Sequence, residues 1–343
     1  MAIVAIYVDD LVLLAKNDDT METLKAQVKA RFACKDMGPI HFTLGFRIQR
    51  DEGTMTMKID QRLNALNMLR RFGWDKCHPA DTPMKAPLSS ADCPSDGAPK
   101  DDDLHSKYRQ GVGCLMYLMI GTRPDIAYAV QALSRHLNNP GVVHYEAMKR
   151  TMRYIAGTQN HGLVYTGSST VLSAFSDADY ATDSATRRSV TGHCTFIGAN
   201  LVSWCSNSQR IVATSTTEAK YIALAQATRE VLFQRSLHRQ CGNRQNQASV
   251  LYGDKQRAIA VATNPVHHAR TKDIDVRYHF IRERIQLQDI AWNMLHLKIT
   301  SPTLLPNLFI AASSNTCAID LAFKLGKRLG QTPLNASKCK CDV

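Results

Sequence analysis

No stretch of the chain reaches the roughly 18 consecutive apolar residues that a membrane-spanning helix requires. No CxxC pair and no regular cysteine spacing occurs among its 10 cysteines. A disulfide framework and a cysteine-ligated zinc ribbon are therefore not expected, and free thiols in a reducing compartment are. The apolar first fifteen residues, MAIVAIYVDDLVLLA, lack a basic leading region and are broken by Asp9 and Asp10, so they do not read as a secretion signal. No repeat of fixed period is present. The expectation is a chain that is not secreted and has no membrane partner.

What is present is globular. The 343 residues are 44% hydrophobic and 21% charged, enough for two ordinary domains and unlike a disordered chain. Lys+Arg 42 against Asp+Glu 30 leaves a net charge of +12, which favours a polyanionic partner.

Four stretches differ in character. Residues 1–80 mix short apolar strands with a helix. Residues 81–105 are rich in Pro, Ser and Asp and read as a linker or surface loop. Residues 106–160 are helical: Ile126, Ala129, Val130, Leu133 and Leu137 recur at helical spacing after Pro124, and a second helix sets Met148, Met152 and Ile155 on one side. Lys149, Arg150 and Arg153 lie off that side, either as a solvated face or as a face that tracks phosphates. Residues 170–290 alternate strands with helices. Strands are expected at 171–177, 190–197, 201–204 and 249–252, and helices at 216–238, 256–262 and 275–285.

The acids in that last stretch sit where strands end or helices begin. Asp177 closes an apolar strand in AFSDADY, Glu218 lies in the first turn of the long helix, Asp254 follows VLYG, and Asp275 stands in TKDIDVRYHF. Carboxylates at the ends of neighbouring strands can converge on one sheet edge. Converged, they would repel one another unless divalent cations were present, and paired magnesium ions would serve phosphodiester hydrolysis. Each also has a plain explanation. Ser215 and Glu218 form a capping-box pattern, Asp254 can cap a helix, and Asp177 can form a turn.

The stretches SDADYA (176–181), RRSVTGHCTFIG (187–198), VSWCSNSQ (202–209), STTEAKYIALAQATRE (215–230), YGDKQRAIA (252–260) and NPVHHARTKDIDVRYHFIRERI (264–285) occur in an order and spacing that resembles the ribonuclease H domain of copia-type LTR retrotransposon polyproteins. The resemblance implies hydrolysis of the RNA strand of an RNA–DNA hybrid, with two Mg²⁺ ions that Mn²⁺ can replace. It places the metal-binding acids on Asp177, Glu218, Asp254 and Asp275, with Asp273 as the alternative for the fourth. Arg187, Arg188, Lys255 and Arg257 are the candidates for contact with the nucleic-acid backbone. Lys255 and Arg257 depart from the family pattern D-N-Q-S-A and would either compete for the charge of Asp254 or hold phosphate. His267, His268 and His279 read as surface histidines, because no Cys stands at ligand spacing from them.

At the other end, Tyr7-Val8-Asp9-Asp10 lies between two apolar runs, a pattern that predicts a hairpin with two carboxylates at its tip. It is followed by MGPIHFTLGFRIQRD (37–51), FGWDKCHPADTPM (72–84) and YRQGVGCLMYLMIGTRPDIAYAVQALSRHLNNP (108–140). That series resembles the palm, thumb and connection of a copia-type reverse transcriptase. By the same resemblance Asp9 and Asp10 are two of three polymerase metal ligands, with the third expected upstream of this sequence. The expectation is a truncated palm and thumb that does not extend a primer, unless the upstream polyprotein portion comes from another chain.

The fold class expected is α/β: a truncated reverse-transcriptase palm and thumb (1–84), a linker (85–105), a helical connection (106–165), and a ribonuclease H-like mixed-sheet domain (170–288). Residues 289–343 depart from the family pattern and are expected as an aberrant, poorly ordered tail, with Cys339 and Cys341 there by chance. The partners implied are RNA–DNA hybrid, RNA and DNA. The compartments implied are cytoplasmic particles and the nucleus. Three rival readings remain: RNA-directed DNA synthesis through Asp9 and Asp10, a nucleic-acid-binding remnant without catalysis, and a host protein that binds acidic partners through its net charge of +12.

Overall fold

The apolar–turn–apolar pattern at the start folds as the hairpin it predicts. In the structure, a computed structural model that describes residues 2–95, 101–167, 169–183, 185–253, 272–294 and 335–341, β1 (Ala2–Tyr7) pairs antiparallel with β2 (Asp10–Ala15). The turn places Val8 at φ 52, a conformation β-branched residues rarely adopt. Helix α1 (Asp18–Arg31) starts on Asn17, whose side chain accepts from Thr20 N–H, and packs Met21 on Leu11 and Leu13. Strand β3 (Cys34–Pro39) follows.

A second sheet holds β4 (Phe42–Thr43), β5 (Phe46–Asp51) and β6 (Thr56–Asp60) in antiparallel order. Its far edge is β7 (Leu163–Thr166), so the segment expected to be wholly helical up to 165 ends in a strand. Between β6 and β7 the described residues form the α-helices α2 (Arg62–Phe72), α3 (Asp102–Gly121), α4 (Ala127–Ser134) and α5 (Val142–Gly157). Their core gathers Leu69, Tyr108, Leu115, Leu133, Met148, Met152 and Ile155. Met148, Met152 and Ile155 share one side of α5, as the helical spacing predicts.

The segment read as a linker contributes to that core. Met84 and Leu88 are buried in it. The cations of α5 hold down that segment and the residues before it: Arg150 donates to Thr82 Oγ1 (2.8 Å), and Arg153 to the carbonyl of His78 (2.8 Å). Lys149 pairs with Glu146 and lies over the rings of Trp74 and Tyr145. Neither a solvated face nor a phosphate track describes these three side chains.

The third sheet is mixed. Strands β8 (Leu172–Asp179), β9 (Val190–Ile197) and β10 (Asn200–Ser208) form an antiparallel meander. Strand β11 (Ser249–Gly253) runs parallel to β8, after the long crossover helix α6 (Thr216–Gln240). Beyond helix α7 (Lys272–Gln286), strand β12 (Ile290–Met294) lies parallel to β11. The spatial order is β10-β9-β8-β11-β12. The sheet thus extends past residue 288, because the backbone of β12 finds its hydrogen-bond partners on β11. Helices α6 and α7 cover one face through Tyr221, Leu224, Val231 and Ile281. Leu163 and Tyr165 of β7 pack on the other against Phe175 and Phe196.

In the tail, strand β13 (Asn335–Cys341) is hydrogen-bonded between β2 and β3, completing a sheet of order β1-β2-β13-β3. The expected helix at 256–262 lies outside the described residues. Among the described residues no helix is long and apolar enough to cross a membrane, and Cys34, Cys77, Cys93, Cys114, Cys194, Cys205 and Cys241 are free thiols.

Candidate active site

Small side chains decide where the acids of the third sheet sit. Ala178 of β8 packs with Ala213 and with Ala219, Ile222 and Ala223 of α6. With only methyl groups at most of this contact, the first turn of α6 comes close to the end of β8. Gln209, fully buried, locks the approach: its Nε2 donates to Thr191 Oγ1 on β9 (3.0 Å) and to the carbonyl of Ala219 (2.8 Å). Asp177 adjoins Ala178 in sequence and Glu218 adjoins Ala219, so each acid stands next to a member of the cluster that joins β8 to α6. Lys220, two residues after Glu218, reaches Asp177: its ammonium lies 3.1 Å from Oδ1.

Asp177 is half exposed and also accepts from the N–H of Ala178 at 2.7 Å. Glu218 is only 7% exposed. Its Oε2 accepts from the N–H of Thr214 (2.7 Å) and from the Thr214 hydroxyl (2.6 Å), while its own N–H donates to Ser215 Oγ (3.1 Å). The capping explanation of Glu218 is therefore half realised. Ser215 caps the helix, but the carboxylate reaches one residue further back than a capping box requires.

The other two acids are placed less completely. Asp254 lies outside the described residues; the strand before it ends at Gly253, next to β8 with Tyr252 opposite Phe175. Asp273 and Asp275 fall in α7, and only the backbone of that turn is described. Parallel strands end on the same side, so the ends of β8 and β11 share one sheet edge with the start of α6.

The loop between β8 and β9 stands at that edge. Asp183 organises it, accepting from Ala185 N–H (3.0 Å), from the hydroxyl of Thr186, and from the guanidinium of Arg135 that caps α4. Burial pushes the Asp183 carboxyl up, but the hydrogen bonds from Thr186, Ala185 and Arg135 outweigh it and hold it at about 2. Arg187, at φ 55, and Arg188 are exposed on this loop, tied by backbone bonds to Asp183. Lys255 and Arg257 lie outside the described residues, as do His267 and His268. His279 is exposed on α7.

Asp9 and Asp10 sit at the tip of the first hairpin, half buried, with Asp10 opposite Tyr7. They belong to a different sheet from Asp177 and Glu218. A cleft of about 910 Å³ between the first two sheets is lined by Val12, Leu14, Ile48, Met57 and Ile59 and contains none of these four acids. Sequence reasoning did not single out Lys220, Gln209 or Asp183. The first had a signal, since a cation two residues after Glu218 in TEAK lies in the same helical turn.

The family described as reverse transcriptase (RNA-dependent DNA polymerase) matches residues 1–86. The retrovirus-related Pol polyprotein from transposon TNT 1-94 of Nicotiana tabacum is 38% identical over 285 residues, 82% of this chain and 21% of that protein. An uncharacterized mitochondrial protein of Arabidopsis thaliana is 37% identical over 227 residues, 66% of this chain and 91% of that protein. The chain thus spans about a fifth of the length of the Pol polyprotein it matches. Among solved structures, ribonuclease H1 from Halobacterium salinarum NRC-1 aligns over 36% of this chain and 82% of its own, at 17% identity and a TM-score of 0.27. At that overlap the strand order given above, not the superposition, describes the third sheet.

Proposed function

Because the chain belongs to the Pol polyprotein family of copia-type LTR retrotransposons, we propose that its mixed-sheet unit hydrolyses the RNA strand of RNA–DNA hybrids. The observation that carries the reading is that the first turn of α6, which bears Glu218, reaches Asp177 through Lys220 at the end of β8, beside which β11 also ends.

The donor set suits magnesium. Carboxylate oxygens are the ligands that hard divalent cations take. A cation already stands at one of them, the ammonium of Lys220 on Asp177 Oδ1. Asp177, Glu218, Asp254 and Asp275 would hold the ions, with Asp273 as the alternative fourth ligand. Bound there, the ions would supply charge neutralisation at the scissile phosphate and a water made acidic enough to serve as nucleophile.

The chain's own residues do the positioning. Gln209, bonded to Thr191 of β9 and to the carbonyl of Ala219, and the alanine cluster fix the start of α6 against the sheet. The hydrogen bonds from Thr214 direct Oε2 of Glu218 and leave its orientation little freedom. Arg187 and Arg188, on a loop pinned by Asp183, would meet the hybrid's phosphates, which fix register without reading sequence.

The test is cleavage of a labelled RNA–DNA hybrid by the full chain with Mg²⁺. Asp177→Asn and Asp254→Asn should each reduce the rate by about 100-fold or more, the scale on which removal of a charge-stabilising group acts. Equal product from both variants and the parent would refute the nuclease reading. Binding without any cleavage would favour the catalytically inert remnant. The hairpin that presents Asp9 and Asp10 supports a second reading, RNA-directed DNA synthesis. Primer extension with Asp10→Asn as control separates it from the first.

A further inference from the structure

The buried junction where the 85–95 segment meets α4 and α5 holds one cysteine and two histidines with no role in either site above. Cys93 follows a turn of 3-10 helix, Ser90–Asp92; His136 lies just past the end of α4; His144 is in the first turn of α5. Spacings of 43 and 8 residues are too long to read as a ligand motif, and the fold alone brings the three together. One ligand atom of each lies within 4.8 Å of the others. His136 is 4% exposed and His144 fully buried.

We propose that Cys93, His136 and His144 form a transition-metal site of the zinc type, which ties the 85–95 segment to the helical connection. Tetrahedral zinc holds thiolate sulfur at about 2.3 Å and imidazole nitrogen at about 2.0–2.1 Å, so a sulfur–nitrogen edge of its coordination shell is about 3.5 Å. Cys93 Sγ lies 3.6 Å from His136 Nδ1. The His136 and His144 rings are 4.0 Å apart between centroids. A ligand nitrogen of each ring lies within 4.8 Å of the other and of the thiol, close enough for a small movement to bring all three onto one ion.

His144 already has the partner that would orient it as a ligand. Its Nε2 lies 3.2 Å from the carbonyl of Ser89, the partner that fixes a ligating histidine in the tautomer with Nδ1 bare. Nδ1 now accepts from the N–H of Gly141 (3.0 Å), and the metal would take that lone pair in its stead. On His136, Nε2 is buried with no hydrogen-bond partner among the described residues, a group that normally finds one. Burial, together with the neighbouring ring, keeps His136 neutral down to about 4, and burial lowers His144 as well; neutral imidazole is the form that binds metal. Burial first, then the charge of Asp92, raises the Cys93 thiol, so the ion would bind with release of that proton. Asp92 acts electrostatically on all three groups, and the fourth position would fall to water.

The location gives the site its consequence. Gly141 admits no side chain, because a Cβ there would run into the backbone oxygen of Asp92. Asn139 donates to the carbonyl of Pro94 (3.0 Å). The residue before His136 is Arg135, which bonds Asp183 in the mixed-sheet unit. A metal at this junction would therefore stiffen the connection between the reverse-transcriptase part and the nuclease part. The inference does not depend on the nuclease reading.

The experiment uses the full chain, purified free of metal and titrated with Co²⁺ and then Zn²⁺. One equivalent of Co²⁺ should produce a thiolate-to-cobalt charge-transfer band, which Zn²⁺ abolishes. The band should be lost in Cys93→Ser, and His136→Phe should weaken Co²⁺ binding by about tenfold or more. In the unmodified chain, saturating Zn²⁺ should slow iodoacetamide alkylation of Cys93, read by peptide mass spectrometry, and leave Cys77 and Cys114 unchanged. A Cys93 alkylation rate indifferent to Zn²⁺ overturns the proposal even if the variants fail to fold. So does a thiolate band that survives Cys93→Ser, which would place the metal on other cysteines.

Discussion

The ammonium of Lys220 lies 3.1 Å from Oδ1 of Asp177, across the seam between α6 and β8. An aspartate expected to bind a divalent cation thus already carries a cation of the protein's own. The two compete for one oxygen. Both side chains are partly exposed, so the pair is worth no more than about 1 kcal/mol. Lys220→Met should therefore lower the Mg²⁺ concentration at half-maximal hybrid cleavage by about 2- to 5-fold. A magnesium titration of the two proteins checks it. An unchanged or raised midpoint would show that Lys220 leaves Asp177 when metal binds and serves the hybrid instead.

The alanine contact makes a second test. Ala219→Leu adds bulk where Ala178 and Ala223 leave no room. Overpacking of this kind costs about 1–3 kcal/mol. The shift moves α6 away from β8 and separates Glu218 from Asp177. Hybrid cleavage should fall much further than the stability loss explains, because a misplacement of about 1 Å in a reacting constellation can cost 100-fold in rate. Urea unfolding and single-turnover cleavage on the same preparation supply the two numbers. A rate loss no larger than the unfolded fraction at assay conditions would mean that the Asp177–Glu218 spacing does not matter.

How far the sequence carried these conclusions depends on the kind of signal. The first hairpin, the β8–β10 meander, α6 and β11 were legible because turn residues and apolar periodicity are local. Asp177 and Glu218 were legible as candidates because they stand at the ends of such elements, and the resemblance gave them a role. What was not legible was long-range. Nothing in Met84 or Leu88 distinguishes a buried residue from one in a solvated linker, since their burial is decided by α3 and α5. Arg150 and Arg153 read as surface cations because their acceptors, on Thr82 and His78, are about seventy residues away. The Cys93–His136–His144 cluster had no spacing signal at all. Strand β12 fell beyond the expected domain edge because its pairing with β11 is a property of the sheet and not of the pentapeptide.

Asp183 offers a third prediction. Its carboxylate is nearly fully buried and joins the β8–β9 loop to Arg135 of the connection. Removing one partner of a buried ion pair costs about 3–5 kcal/mol, discounted here because the Arg135 side chain keeps some contact with water. Asp183→Asn should lower stability by about 2–4 kcal/mol. It should also free the loop that carries Arg187 and Arg188, so hybrid affinity should fall and the salt dependence of binding should become shallower. Denaturant unfolding and hybrid binding at two salt concentrations measure both. Stability lost with the salt slope unchanged would separate the ion pair from the nucleic-acid contact.

The buried histidines set the response to acid. Burial holds His136 down to about 4 from an ordinary 6.5, with His144 and Arg135 adding to it, and burial likewise lowers His144, His161, His193 and His238. These groups resist protonation when folded, so the unfolded chain takes up protons first as pH falls. Their contribution to stability is complete above about pH 6.5 and is lost as pH falls below it, for His136 down to about 4. Asp183, held at about 2 against an ordinary 3.8, contributes in a lower window, lost only as pH falls from 3.8 towards 2. The melting temperature, measured with a chelator present, should therefore be flat near pH 7 and fall steadily from 6.5 to 4. In His136→Phe the decline should be shallower by up to one proton, about 1.4 kcal/mol per pH unit at most. The phenyl ring keeps the volume and removes the titration, so the comparison isolates the charge. A variant whose decline matches the parent's would show that His136 takes its proton without leaving the folded state.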